Sequence, residues 1–231
     1  MNEPARPAFY ALRRGGWRDY VTLLHPPYTL WNLSYVALGA ALAPRMDWAL
    51  LGWTALAFFL ALGVGAHALD ELQGRPLQTL IPTRVLVSLA VVSIGAACAI
   101  GCVIAVQRTL WLLVFVAFGA FIVVAYNLEL FGGAFHGAFW LAGAWGAFPV
   151  LTAYFASALT LRATAVAAAI YAFAMIIAQR MLSTPARAVR RKPASEVTDA
   201  ERAIAPTAER ALQTLAAAAV LIAAALLLAR A

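Results

Sequence analysis

The sequence "WALLGWTALAFFLALGVGAHALDELQGRPLQTLIP", from Trp48 to Pro82, joins an apolar run to a group of ionisable residues. The apolar part extends from Trp48 to Leu69, and a helix needs about 20 such residues to cross the hydrocarbon core of a bilayer. Its end carries four ionisable side chains within nine positions, namely His67, Asp70, Glu71 and Arg75. The stretch therefore predicts a transmembrane helix whose polar end either meets the membrane surface or forms a functional site.

The whole chain has the composition of a membrane protein. Of its 231 residues, 64% are hydrophobic and 12% are charged, whereas soluble domains carry about 25% charged residues. A soluble fold of this length could not bury so much apolar surface. We therefore predict an all-α, polytopic transmembrane helix bundle.

Seven apolar stretches predict about seven spans. They are Tyr28–Pro44, Trp48–Leu69, Arg84–Val106, Leu110–Leu128, Ala138–Leu159, Ala163–Met181 and Leu212–Leu228. This pattern divides the chain into an amphipathic amino-terminal segment (1–24), a six-helix membrane core (25–181), a basic and polar loop (182–210) and a carboxyl-terminal transmembrane helix (211–231).

The basic residues predict how the chain lies in the membrane. Of the 17 Lys and Arg residues, thirteen fall on the amino terminus or the longer loops, and four on the opposite side. Because cytoplasmic loops carry an excess of Lys and Arg, the amino terminus and the long loops are expected in the cytoplasm and the carboxyl terminus outside the cell membrane. The net charge of +7 would then attract anionic lipid headgroups or a phosphorylated substrate. Beyond that raw charge, nothing favours nucleic-acid binding.

The ionisable group after the second apolar run has a spacing suited to one helix face. His67, Asp70 and Glu71 lie at positions i, i+3 and i+4, which share a face. Two neighbouring carboxylates can hold Mg²⁺ and leave coordination positions open for phosphate oxygens, and Arg75 could bind a diphosphate in bidentate fashion. Alternatively, the two acids are solvated loop charges that pair with Arg75.

Several motifs resemble the UbiA superfamily of membrane prenyltransferases. They are "AHALDELQG" followed by "RPLQTLIP", the preceding "HPPYTLWNLSYVALGAALAP", "AYNLELFGG" after the fourth run, and "GAFWLAGAWGAFPVLTAYFAS" in the fifth. The resemblance covers about Leu23 to Met181 and implies a UbiA-like helical core. It also implies Mg²⁺-assisted transfer of a prenyl (polyisoprenoid) group from its diphosphate to an acceptor.

The chain departs from the family pattern at several positions. Ala66, His67 and Gly74 stand where the family has Asn, Asp and Asp, so only Asp70 keeps a family acid. A second acidic motif is expected after the sixth run, but "AQRMLSTPARAVRRKPASEVTDAERA" is basic there. The last two family helices are also missing, and the chain therefore resembles a reduced, divergent member.

The resemblance, the arginines that stand where a second acidic motif is expected, and the polar residues near the same membrane edge together suggest a set of site residues. Asp70, Glu71 and Arg75 would be catalytic, with Asp70 and Glu71 holding Mg²⁺ as cofactor. The substrate would be bound by Asn32, His67, Tyr126, Asn127, Arg180 and Arg187. Glu129 and His136 are expected at the same membrane edge and are further candidates. The aromatic residues Trp140, Trp145 and Phe148 could flank a carbocation by cation–π attraction.

Other functions stay open. A catalytically inactive relative could act as a structural or assembly subunit of a larger membrane complex, or bind an isoprenoid or quinone-like lipid. A metal oxidoreductase built on His67, Asp70, Glu71, Glu129 and His136 ranks last, because membrane di-iron sites generally use more histidines than the three present. A transporter is disfavoured because no charged residue lies near the centre of an apolar run.

Overall fold

The computed structural model describes residues 7–231, except for the side chain of Ala194, and this part of the chain is helical without β-strands. The helices are α1 (Trp17–Leu23), α2 (Pro26–Leu42), α3 (Trp48–Leu72), α4 (Thr83–Arg108), α5 (Leu112–Asn127), α6 (Ala138–Ala158), α7 (Ala163–Arg191) and α8 (Asp199–Leu228). Short helical turns also occur at Leu130–Gly133 and Ala194–Glu196. The prediction of an all-α fold is confirmed.

Five of these helices are long and apolar enough to cross a membrane, which supports the prediction of transmembrane helices: α3, α4, α6, α7 and α8. The other two predicted spans correspond to α2, with 17 residues, and α5, with 16 residues. At about 1.5 Å per residue these two helices are shorter than the roughly 30 Å hydrocarbon core. The predicted number of about seven spans is therefore not confirmed.

Helix α2 occupies the interior of the bundle, where it packs against α3, α6, α7 and α8. Glycines permit the closest approaches. A Cβ atom added to Gly39 of α2 would lie 2.3 Å from the carbonyl oxygen of Val150 in α6, and one added to Gly146 of α6 would lie 2.6 Å from that of Ala172 in α7. Small residues bring membrane helices close enough for dense van der Waals packing.

Two arginines fix neighbouring helices at one end of the bundle, which we call the Arg108 end. Arg108 of α4 donates from Nε to Ala156 O (3.2 Å) and from Nη2 to Ser157 O, at the last turn of α6. Arg230, just beyond α8, donates to Ala41 O (2.9 Å) and Ala43 O at the end of α2. A cation is favourable there because the last carbonyls of a helix carry partial negative charge. At the opposite end, the Asp70 end, α3 finishes.

The predicted loop 182–210 is mostly helix. Helix α7 continues beyond Met181 to Arg191, and α8 begins at Asp199, so that only a short turn separates them. Arg190 forms an ion pair with Glu209 across this hairpin, and Lys192 Nζ lies 2.5 Å from Glu201 Oε1. These pairs and a capping box at Thr198 stabilise helix ends that polar composition alone suggested to be loop.

The amino-terminal segment is tied to the Asp70 end by a buried carboxylate. Asp19 of α1 is 3% exposed; its Oδ1 accepts a hydrogen bond from Gly15 N (2.9 Å) and its Oδ2 one from Leu80 N (2.8 Å). Trp17 and Tyr20 of the same helix stay exposed. The segment therefore packs against the α3–α4 connection while presenting aromatic side chains outward.

Candidate functional site

A cavity of about 430 Å³ opens at the Asp70 end, between α2, α3, α5, α6 and α7. Its polar lining residues are His25, Tyr28, Asn32, His67, Asp70, Tyr126, Asn127, His136, Gln179, Arg180, Ser183, Thr184, Arg187 and Arg191. Aromatic and aliphatic side chains of Trp31, Leu141, Trp145 and Ile176 also line it. The cavity thus offers both polar groups and an apolar surface to one ligand.

The charges in this cavity are mainly positive. Arg180, Arg187 and Arg191 come from one face of α7, since spacings of seven and four residues bring side chains to the same side of a helix. Asp70 is the one carboxylate among the cavity residues that the structure describes. Arg180 also donates from Nη1 to the Tyr126 hydroxyl at 3.2 Å, which orients both side chains. Such a cluster suits an anion with several oxygen atoms.

A widened turn of α3 leads into the cavity. Residues Phe59–Ala66 form a π-helical segment, and His67 follows it directly. The His67 ring nitrogen Nδ1 lies 3.0 Å from Gly63 O, within that segment. π-Helical turns are rare and frequent at functional sites, and here the turn sets the direction of a cavity side chain. No pattern in the sequence indicates this π-helical turn.

Helix α6 contains a second π-helical segment, Gly143–Ala147, which includes Trp145. The Trp145 ring lies 4.8 Å from the Tyr126 ring, and the His136 ring lies 4.5 Å from Tyr126 on centroid distances. His136 Nδ1 is also 2.9 Å from Tyr126 O. Of the three aromatic residues proposed to flank a cation, only Trp145 lines the cavity, whereas Trp140 packs on Phe135.

All six predicted substrate-binding residues line the cavity, and so does Asp70. They are Asn32, His67, Tyr126, Asn127, Arg180 and Arg187. They come from α2, α3, α5 and α7, so the fold brings distant parts of the chain together. Asn32 and Asn127 are 7% and 6% exposed, and Asn127 also donates from Nδ2 to Val123 O (2.7 Å).

Glu71, by contrast, points away from the cavity and organises the α3–α4 connection. Its side chain is fully buried. Oε2 accepts a hydrogen bond from Leu77 N (2.9 Å), and Oε1 accepts from Thr79 N (2.8 Å) and Thr79 Oγ1 (2.9 Å). Glu71 therefore holds the backbone of residues 73–82 in place.

Arg75 likewise serves the connection. Nη1 donates to Thr79 O (3.2 Å) and Ile81 O (2.6 Å), and Nη2 donates to Thr83 Oγ1 (3.0 Å). It does not line the cavity. The structure thus places Glu71 and Arg75 in a folded loop, where sequence spacing suggested a metal ligand and a diphosphate ligand.

The predicted magnesium pair does not fit this arrangement. Both carboxylate oxygens of Glu71 accept hydrogen bonds from the loop. Within residues 7–231, no group of three or more His, Cys, Asp or Glu side chains could hold a metal ion. Asp70 alone remains in the cavity. The charged side chains around Asp70 in the cavity are arginines, which can bind an anion directly.

Sequence reasoning missed His25 as a cavity residue. It precedes α2 with a left-handed backbone (φ 45°), and its ring stacks on that of His67 at 3.9 Å with an angle of 13°. The centroid of the Tyr10 ring lies 5.2 Å from that of the His25 ring. Burial, together with the neighbouring His67 and Arg187, lowers the pKa of His25 well below its ordinary value. The feature that could have indicated His25 is its position directly before Pro26 and Pro27, which begin α2.

No protein-family model, curated protein or solved structure matches the chain. The fold and the cavity themselves define its class: a helical membrane protein with an arginine-lined cavity at one end. The resemblance to the UbiA superfamily rests on the sequence motifs alone.

Proposed function

We propose that the chain is a UbiA-like membrane transferase that moves a prenyl group from its diphosphate to an acceptor. The observation that carries this proposal is the cavity that Arg180, Arg187 and Arg191 line together with Asp70 and an apolar, aromatic surface. A prenyl diphosphate combines the same two chemical features: a multiply charged head and a hydrocarbon chain.

The arginines would bind the diphosphate and stabilise it as it leaves. When the bond between the prenyl carbon and the diphosphate oxygen breaks, negative charge accumulates on the leaving group. Fixed guanidinium groups in a partly enclosed site stabilise that charge more than water does, because they are already oriented. Arg187 and Arg191 are exposed, and Arg180 is half-buried, so the three line the path from the opening inward.

The apolar surface would hold the prenyl chain near its reacting carbon. Trp31, Trp145, Leu141 and Ile176 supply this surface. The ring faces of Trp145 and Tyr126 can attract the positive charge that develops on the allylic carbon. The acceptor would enter the same cavity beside these rings.

We place the Asp70 end at the cytoplasmic face of the cell membrane, with the amino terminus cytoplasmic and the carboxyl terminus outside. Thirteen of the 17 basic residues support this orientation. Helices α2 and α5 would then also cross, and a bilayer thins locally around short hydrophobic segments at modest cost.

A second candidate is an inactive UbiA-like protein that binds an isoprenoid or quinone-like lipid or supports assembly of a larger complex. The observation that favours it is the engagement of Glu71 and Arg75 in the α3–α4 connection. Such a protein would bind its lipid or its partner subunits without converting a prenyl diphosphate.

Turnover by the full-length protein in lipid nanodiscs separates the two candidates. Radiolabelled farnesyl and geranylgeranyl diphosphates are incubated with Mg²⁺ and a panel of hydroquinones and phenols, and prenylated product and released diphosphate are measured. The transferase proposal expects product, and Arg187→Gln should lower kcat/KM by about 10- to 100-fold, since a hydrogen bond to a charged group contributes about 1.5–3 kcal/mol.

Arg162→Gln is the matched control, because it removes an exposed arginine that precedes α7 at the Arg108 end. It should leave turnover unchanged. Binding without product would favour the inactive lipid binder. Product formation that is equal in the wild type and Arg187→Gln would refute the proposed role of the arginines.

A further inference from the structure

The hydrogen bond of His67 defines its tautomer. Gly63 O can only accept, and it lies 3.0 Å from His67 Nδ1. The Nδ1 atom therefore carries a proton, and Nε2 of the neutral ring has a free lone pair. The π-helical segment Phe59–Ala66 supplies this carbonyl, so the backbone itself fixes the ring.

The Nε2 atom is available to a ligand in the cavity. His67 lines that cavity, and its Nδ1 contact is the only polar contact of its side chain within residues 7–231. In the same part of the chain no buried side-chain nitrogen or oxygen lacks a hydrogen-bond partner. Because Nε2 has no hydrogen-bond partner, it is not one of these buried atoms and must be accessible from the cavity. It can therefore accept a proton from a bound molecule.

The surroundings favour a neutral His67 before reaction and tolerate a charged one afterwards. The arginines of α7 line the same cavity and oppose an additional positive charge on His67. Asp70, one helical turn further along α3, is a carboxylate that can stabilise an imidazolium. The titratable and charged groups around the pair are Tyr10 in the amino-terminal segment, His25 and Tyr28 at the start of α2, Asp70 on α3, Tyr126 on α5, His136 before α6, and Arg180, Arg187 and Arg191 on α7.

We propose that His67 Nε2 is the general base that removes the proton from the acceptor hydroxyl; this rests on the proposed transferase function. The bond between the prenyl C1 and the diphosphate oxygen breaks, and its electron pair leaves with the diphosphate. A lone pair of the acceptor oxygen forms the new bond to C1, and the hydroxyl proton passes to Nε2. The imidazolium then gives this proton to the released diphosphate or to water, which restores the neutral ring.

His25 would act as a positioning residue. Its ring lies almost parallel to that of His67, with the centroids 3.9 Å apart, and the Tyr10 ring centroid lies 5.2 Å from that of His25. This stack prevents the His67 ring from rotating out of the cavity.

Chemical rescue tests the proposal with the full-length protein in nanodiscs. Geranylgeranyl diphosphate and hydroquinone serve as probes, and His67→Ala leaves space for added imidazole. We expect His67→Ala to reduce turnover by about 10²- to 10⁴-fold, the usual contribution of a general base. Binding of geranylgeranyl diphosphate should change less than threefold, and imidazole should restore part of the rate.

The controls separate this inference from the proposed function. Imidazole should not accelerate the wild type or Arg162→Gln, and His67→Gln, which fills the space, should be slow and resist rescue. A wild type without turnover would reject the transferase itself. An active wild type with an equally active His67→Ala, or a slow His67→Ala that imidazole does not restore, would overturn the role of His67 and leave the transferase standing.

Discussion

Substitution of Glu71 by Gln separates its structural role from the metal-binding role that its position suggested. Glu71 accepts three hydrogen bonds, from Leu77 N, Thr79 N and Thr79 Oγ1. In Glu71→Gln the amide oxygen can keep the two Thr79 donors. The amide nitrogen then faces Leu77 N, so that two donors meet and a buried N–H loses its acceptor.

The loss of stability in Glu71→Gln can be estimated from the unsatisfied Leu77 N–H. An unsatisfied buried backbone group costs about 1–3 kcal/mol, and the two remaining bonds lose their charge assistance. We therefore expect Glu71→Gln to lower the free energy of unfolding by about 2–3 kcal/mol. For a chain of this size that corresponds to a decrease in Tm of roughly 4–12 °C.

The neighbouring Asp70→Asn provides the control. Asp70 lines the cavity, and within residues 7–231 its carboxylate forms no hydrogen bond with another residue. Its substitution should change Tm by less than about 2 °C while reducing turnover. Thermal unfolding of both variants, followed by tryptophan fluorescence in one detergent, measures the difference. Equal Tm values for Glu71→Gln and the wild type would refute the role assigned to Glu71 in the connection.

Substitutions at Asp19, Gly39 and His25 test other contacts of the fold. Asp19→Asn weakens the contact with Leu80 N, so trypsin should cleave the amino-terminal segment faster than in the wild type. Gly39→Val should prevent stable folding, because its Cβ would lie 2.3 Å from Val150 O; Gly52→Ala, which meets no atom, should fold normally on size-exclusion chromatography. Since the pKa of His25 is lowered, the unfolded state binds more protons below about pH 6.5, so acidification should lower Tm, and less so in His25→Phe.

The helices could be predicted from the sequence because a long run of apolar residues is itself the signal of a membrane helix. Each predicted span corresponds to one of α2–α8, and the i, i+3 spacing of His67 and Asp70 correctly placed both on one side of α3, where they line one cavity. The polar continuation of α7 and α8 could not be found by that criterion. It depends on pairs such as Arg190 with Glu209, which join residues from two helices.

The sequence could not predict that Asp70 would line the cavity while Glu71 binds the α3–α4 connection. The two side chains diverge by about 100° around the helix, and either could have faced the cavity. The deciding factor is the path of residues 73–82, where Arg75 and Gln78 both have positive φ. Those turns bring Leu77 N and Thr79 N to Glu71. The spacing of residues within α3 does not indicate which of its side chains the following loop will contact.

Direct binding of a prenyl diphosphate to the arginines is the central claim, and native mass spectrometry of the full-length protein in nanodiscs measures it. Wild type and Arg162→Gln should bind farnesyl diphosphate with the same Kd, and Arg187→Gln should bind it at least about tenfold more weakly. Absent binding in the wild type, or equal affinity in all three proteins, would contradict a diphosphate site in this cavity.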